Sequence, residues 1–238
     1  MLKEIKNFIT DIADFFFPSH CMCCNKAVEK GNIICKDCFK GLERLPKSIC
    51  KKCGLMKSRC DCKNHVYHFS AITAPFYNKG VAQQGLYKMK FGGCKPASEF
   101  YGHCMADSVI KNLANKKFDA ITYVPMNAYK GFTRGYNQSQ WLAEQIAKEL
   151  GLPIFDGVLK RKLISFTQHR RGGIERRFFN AYKSYYRKGT IPYKTVLLVD
   201  DIKTTAASLD ACARQLLYAG ALEVCCVTAL VSDKEKNS

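Results

Sequence analysis

The chain shows no secretory signal. Its opening, "MLKEIKNFITDIADFFFPSH", carries Glu4, Asp11 and Asp14 and has no small-residue cleavage site, which excludes the pattern of an export signal. The same stretch is too polar and too short to span a bilayer. No internal repeat or low-complexity tract appears beyond paired cysteines. Acidic residues are scarce: 20 Asp and Glu stand against 38 Lys and Arg, for a net charge of +18. That imbalance fits a dense anion as partner, whether nucleic acid, a phosphorylated metabolite or an anionic membrane surface, and charge alone does not choose among them.

What is present begins with residues 1–18. Ile5, Phe8, Ile9, Ile12, Ala13 and Phe16 fall on one helical face, so an amphipathic helix is expected, docked on the protein itself, on a membrane surface or on a partner. Nine of the 14 cysteines precede residue 63. Without an export signal, such a cluster predicts reduced, metal-bound thiolates in a cytoplasmic chain rather than disulfides. The pairs are Cys21/Cys24, Cys35/Cys38, Cys50/Cys53 and Cys60/Cys62. Each can form a knuckle that turns two sulfurs toward one ion, and two knuckles complete the tetrahedral sulfur shell favoured by zinc. Four pairs predict one or two zinc ions in a double ribbon over 19–64. The spacing leaves open which knuckle joins which. Cys23 is expected to be a spare, and His20 and His65 are not needed as ligands.

From about residue 65 the pattern changes to strands alternating with helices. Strands are expected at "YHFSAITAPFY", "FDAITYVP", "TVLLVDD" and "EVCCVTALV". Helices are expected at "VAQQGLYKMKFGG", over 97–113, at "NQSQWLAEQIAKELG" and at "SLDACARQLLYAGA". The third of these has Asn137 as N-cap, Gln140 at the capping-box position and Gly151 as its stop. This alternation predicts an α/β domain over 65–238, a mainly parallel sheet with helices on both sides.

In such sheets ligands sit beyond the carboxyl ends of the strands. "TVLLVDDIKTTAAS" ends an apolar strand on Asp200 and Asp201 and then feeds a helix N-terminus, where free N–H groups attract phosphate. The acids can accept hydrogen bonds from ribose hydroxyls, while Thr204, Thr205 and Ser208 add donors, so the bottom-up reading is a sugar-phosphate site. Lys203 either adds a cation or points outward. Receiver domains also pair aspartates after a strand, but there the pair closes the first strand; here only 37 residues (238 − 201) follow.

"VLLVDDIKTTAAS" resembles the phosphoribosyl-pyrophosphate (PRPP) loop of type I phosphoribosyltransferases. Together with "CMCC…CKDC…CKKCG…CDC", "APFYNKG", "MKFGG", "VPMNAYKGFTRGYNQSQWLA" and "TQHRRGGIERRFFNAY", it makes the chain resemble the ComF family over nearly its whole length. The resemblance implies a type I phosphoribosyltransferase-like sheet preceded by the zinc ribbon. It implies Asp200 and Asp201 as candidate catalytic acids on the ribose. It also implies a phosphate cradle of Thr204, Thr205, Ala206, Ala207 and Ser208, with Arg134 reaching the pyrophosphate near Pro125 and Met126. Gln168 and Arg176 would lie in a mobile lid, and Mg²⁺ would accompany PRPP. The family usually has Gly at position 206 and Thr at 208. If the turn needs a left-handed residue, Ala206 costs roughly 1–2 kcal/mol there.

The resemblance further implies a role in natural transformation: handling of incoming single-stranded DNA at the inner face of the membrane, beside a helicase-like partner and the membrane DNA channel. The residues agree. Between 160 and 188, ten Lys and Arg, among them Arg170, Arg171, Arg176 and Arg177, are opposed by Glu175 alone and interleaved with aromatics. Cations track a phosphate backbone and ring faces stack bases. The competing expectation is that "FFNAYKSYY" forms a buried hairpin beneath solvated cations. The alternative function is an active phosphoribosyltransferase on an unidentified acceptor.

Overall fold

The structure, a computed structural model, describes residues 19–46, 49–60, 62, 66–127, 133–162 and 173–232. The expected N-terminal helix, His65, Gln168, Arg170 and Arg171 lie outside the described residues. Among those described, no helix is long and apolar enough to cross a membrane.

Five parallel strands form the central sheet: β1 (Ala71–Thr73), β2 (Phe76–Tyr77), β3 (Ala120–Tyr123), β6 (Thr195–Lys203) and β7 (Glu223–Val231). Their order is β1–β7–β6–β3, with β2 continuing the β1 edge along β7. One strand was expected over 67–77, and two are found. Pro75 has no N–H to give the ladder, so pairing stops after Thr73 and resumes at Phe76, and the Pro75 carbonyl instead accepts from the Leu45 N–H at 3.0 Å.

Strand β6 is apolar without alternation because both of its faces are covered. Leu197 and Val199 face one core with Cys225 and Val227, under helices α2 (Gly80–Gly92), α3 (Lys95–Asn112) and α4 (Gln138–Leu150). Val196 and Leu198 face the other with Val224 and Cys226. That second core is closed by α6 (Ala207–Tyr218), by α5 (Ile174–Ser184), and by the antiparallel pair β4 (Leu159–Arg161) and β5 (Tyr185–Arg187). The sheet thus presents its carboxyl edge between two helical layers.

Helix α4 starts and stops as expected: Asn137 accepts from the Ser139 N–H at 3.1 Å, and Gly151 takes φ 64°. The capping box does not close, because the Gln140 amide donates to Glu144 at 2.9 Å instead. The "FFNAYKSYY" segment is not a hairpin but α5 followed by β5. On α5, Phe178 and Ala181 are buried at i and i+3 whereas Phe179 is exposed, as for a helix with one face inward, and on β5 Tyr185 is buried and Tyr186 exposed, the alternation of a strand.

The ribbon residues share cores with this body. Helix α1 (Lys36–Lys40) belongs to the first ribbon. Cys21, Met22, Cys23 and Cys38 join the core of Phe76, Leu86 and Tyr101, while Cys53 and Leu55 pack with Ala74 and Val231.

Asp210 pins the second layer together. Fully buried on α6, it accepts from the His68 backbone N–H at 2.5 Å, from His68 Nδ1 at 3.2 Å and from the Tyr182 hydroxyl. Asp210→Ala would orphan these donors, each at about 1–3 kcal/mol. Urea unfolding of the zinc-loaded protein should show a loss of about 3 kcal/mol or more.

Candidate functional site

The structure pairs the knuckles consecutively. Cys21, Cys24, Cys35 and Cys38 form one cluster and Cys50, Cys53, Cys60 and Cys62 another, each with its sulfurs within 4.8 Å of one another. The Cys24–Cys35 and Cys50–Cys62 sulfur distances are both 3.7 Å. An ion about 2.3 Å from four sulfurs at tetrahedral corners spaces them about 3.8 Å apart, so both clusters fit zinc. Burial pushes the Cys21 thiol up, but the N–H groups of Cys24, Cys35 and Cys23 outweigh it and bring the thiol down to about 6. Cys50 is lowered to about 7: burial opposes the shift, and N–H donors led by that of Cys53 outweigh it. Each cluster therefore holds a thiolate ready for a cation near neutral pH. Cys23 lies outside both clusters, buried against Gly85. Metal analysis should give two zinc ions per chain, and the pair Cys24→Ser with Cys35→Ser should leave one.

The second candidate site is a cleft of about 330 Å³ at the carboxyl end of β6. Asp200 and Asp201 form its floor, and Thr204 and Ser208 its rim on the α6 side. Pro125 and Met126, after β3, form another wall with Arg134. Of the expected cradle, Thr205, Ala206 and Ala207 do not reach the cleft. Ala206 and Ala207 are buried, and the Thr205 hydroxyl meets the Ala207 N–H at 3.5 Å. Ala206 does adopt the left-handed conformation, with φ 65° and ψ 4°. Lys203 neither lines the cleft nor points outward; it is buried at 5% exposure.

Four residues that sequence reading did not assign to this site complete it. Lys90, near the end of α2, places its Nζ 2.6 Å from Asp201 Oδ2. The Ser139 hydroxyl donates to Asp200 Oδ1 at 2.9 Å, which also accepts from the Asp201 N–H at 2.9 Å. Arg161, counted from sequence among the DNA-binding cations, instead lines the cleft and stacks 5.1 Å over the ring of Tyr185, which lines it too. The only signal for Lys90 and Ser139 was their presence inside the "MKFGG" and "NQSQ" segments. The clamp on Lys90 is local: the Tyr136 hydroxyl contacts the carbonyls of Met89 at 3.0 Å and Lys90 at 3.3 Å, and the Gln138 amide donates to Lys90 O at 3.2 Å.

Burial, and then the neighbouring Asp201 charge, push the Asp200 carboxyl up to about 7; Ser139 and Lys90 only partly offset them. An unfolded aspartate titrates at about 3.9. Between pH 4 and 7 the unfolded chain therefore releases a proton that the folded chain keeps, and folding stability falls with rising pH across that window. Asp200→Asn keeps the acceptor oxygen and removes the titration. Thermal melts should show it more stable than the parent at pH 8, with the gain shrinking toward pH 4.5.

A double zinc ribbon domain family matches residues 12–66. Competence protein F of Haemophilus influenzae is 32% identical over 108 residues, covering 44% of this chain and 47% of that protein, so the chain spans about half the length of that relative. Competence protein ComFC of Streptococcus pneumoniae is 26% identical over 200 residues, covering 80% of this chain and 84% of that protein. Among solved structures, a purine phosphoribosyltransferase of Pyrococcus horikoshii aligns with a TM-score of 0.33 at 17% identity, covering 58% of this chain and 91% of that one.

Proposed function

We propose that the chain is a ComF-type protein, as its double zinc ribbon and its similarity to two competence proteins support, and that it acts in natural transformation by binding incoming single-stranded DNA, with the acid cleft serving as a PRPP-type phosphate site. The observation that carries the DNA half is the sorting of α5 and β5. Phe178, Ala181 and Tyr185 go inward, while Arg176, Arg177, Phe179, Lys183 and Tyr186 are exposed on one arm beside the cleft. Lys183 lies 4.2 Å over the Phe179 ring. Cations for a phosphate backbone thus alternate with ring faces for bases. Arg170 and Arg171 extend the same basic run in sequence. A helicase-like partner and a membrane DNA channel are the expected neighbours, at the cytoplasmic face of the membrane.

A second reading, a phosphoribosyltransferase, is favoured by the cleft's charge layout and by an adjoining cavity of about 460 Å³. That cavity shares Pro125, Met126, Asn137 and Arg161 with the cleft and adds Tyr123 and Asp156. In this reading Asp200 and Asp201 accept from the ribose hydroxyls, Thr204 and Ser208 hold the 5′-phosphate, and Arg134 and Arg161 face the pyrophosphate. The acceptor occupies the second cavity. Both carboxylates already have donors, so Mg²⁺ would arrive on the phosphates of PRPP and neutralise the leaving group there.

The two sites separate by mutation. Single-stranded binding gives a salt slope of about 0.7 per phosphate contact. Arg176→Ala with Arg177→Ala should therefore weaken binding to an oligonucleotide and lower the slope of log K against log salt by about 1.4, leaving PRPP binding intact. Asp200→Asn with Asp201→Asn should do the reverse. Loss of both activities in the acid double variant would refute separate sites.

A further inference from the structure

We propose that the exposed edge of α2 at the cleft mouth, formed by Tyr87 and Phe91 with Arg134 stacked over it, is a base-stacking platform for single-stranded DNA. This rests on the DNA reading above and adds a contact surface to it. Tyr87 and Phe91 lie one helical turn apart, so they share a face of α2. They are 44% and 66% exposed, whereas Leu86 and Met89 on the same helix are fully buried. The helix is therefore anchored without them, and their rings are available to a ligand. The two rings meet edge to face with centroids 5.9 Å apart. The Arg134 guanidinium sits 4.7 Å above Phe91, extending the ring with a planar cation of the kind on which bases stack. Tyr87 and Arg134 both line the acid cleft.

The surrounding charge selects which part of a nucleotide binds here. The two rings at the mouth are uncharged and suit a base, while the exposed cations of the α5–β5 arm, Arg176, Arg177 and Lys183, suit the strand's phosphates. Helix α2 belongs to one helical layer and the α5–β5 arm to the other, so a strand held by both crosses the sheet's carboxyl edge. Stacking of this type is sequence-tolerant because every base has a ring face, which suits a protein that must accept any incoming strand.

The test uses the full zinc-loaded chain, a thymidine oligonucleotide of about 20 residues, and the same length of abasic strand, at fixed salt. The wild type should bind the thymidine strand more tightly than the abasic one. Tyr87→Ala with Phe91→Ala should lose about tenfold or more on the thymidine strand, little on the abasic strand, and keep the salt slope. Phe91→Trp should retain binding and Phe91→Leu should not, which separates ring stacking from mere bulk. Zinc content and the urea midpoint should match the parent in every variant. If the wild type binds DNA and the double Ala variant binds equally well, the platform is wrong while the DNA reading stands. If the wild type binds neither strand at low salt, the DNA reading fails and the platform falls with it.

Discussion

Two adjacent carboxylates at the end of a strand covered on both faces are an electrostatic burden, and the contact between Lys90 and Asp201 makes it tolerable. With an Nζ–Oδ2 distance of 2.6 Å and both side chains largely enclosed, the pair is less screened than a surface ion pair. Ser139 does for Asp200 with a hydroxyl what Lys90 does for Asp201 with a charge. The surrounding architecture serves these two donors. Tyr136 and Gln138 hold the end of α2 through its carbonyls, and Asn137 both caps α4 and donates to Val124 O at 3.2 Å. One short segment thus fixes a lysine from α2, a serine in the first turn of α4 and the loop after β3. The cleft's shape follows from satisfying the acids before any ligand arrives. A ligand with hydroxyls must therefore compete with Lys90 for Asp201, and a displaced Lys90 would become a further cation in a cleft that already holds Arg134 and Arg161.

The ribbons meet a different constraint. A segment of about 45 residues with few apolar side chains cannot build an independent core, and zinc–thiolate bonds supply the missing free energy. Yet the clusters are not appended modules. Cys21, Met22 and Cys23 enter the core under α2 and α3, and a side chain at Gly85 would meet the Tyr101 hydroxyl at 2.6 Å and Cys23 Sγ at 3.0 Å. Metal binding and packing of the layer beside the acid cleft are thereby linked, since the helix that presents Lys90, Tyr87 and Phe91 rests on the first ribbon.

Legibility in the sequence follows the range of the determining interaction. The apolar runs of β6 and β7, the Asn137 cap and the Gly151 stop are local, and the structure has them where the residues say. The left-handed turn at position 206 was legible as a condition that the structure meets. Lys90 and Ser139 were not legible as site residues because they lie 111 and 61 positions from their partners in the acid pair (201 − 90, 200 − 139), and Arg161 because it reaches the cleft only through the pairing of β4 with β5. Only the topology brings them together. The competing hairpin expectation for "FFNAYKSYY" rested on its five aromatics, a strand-like composition, whereas burial of Phe178 and Ala181 at i and i+3 carries the helical period and only Tyr185 and Tyr186 enter a strand. Consecutive pairing of the knuckles needed coordinates, since spacing alone allows other combinations.

Ala206 shows how composition and geometry can disagree without breaking a site. A left-handed alanine costs roughly 1–2 kcal/mol, and burying its methyl recovers about 0.8 kcal/mol. Ala206 is only 4% exposed and packs in the α6 core, so the methyl points away from the cleft and into the layer that orients the helix. Packing thus offsets part of the strain, and the turn keeps the path that aims the start of α6, with Ser208, at the cleft. Glycine would relax the strain and also loosen the unfolded-like alternatives of the turn. Alanine holds the turn in place through the core. On this side the cleft is then lined by the side chains of Thr204 and Ser208 rather than by an open backbone, so hydroxyl chemistry, more than a glycine cradle, defines this wall.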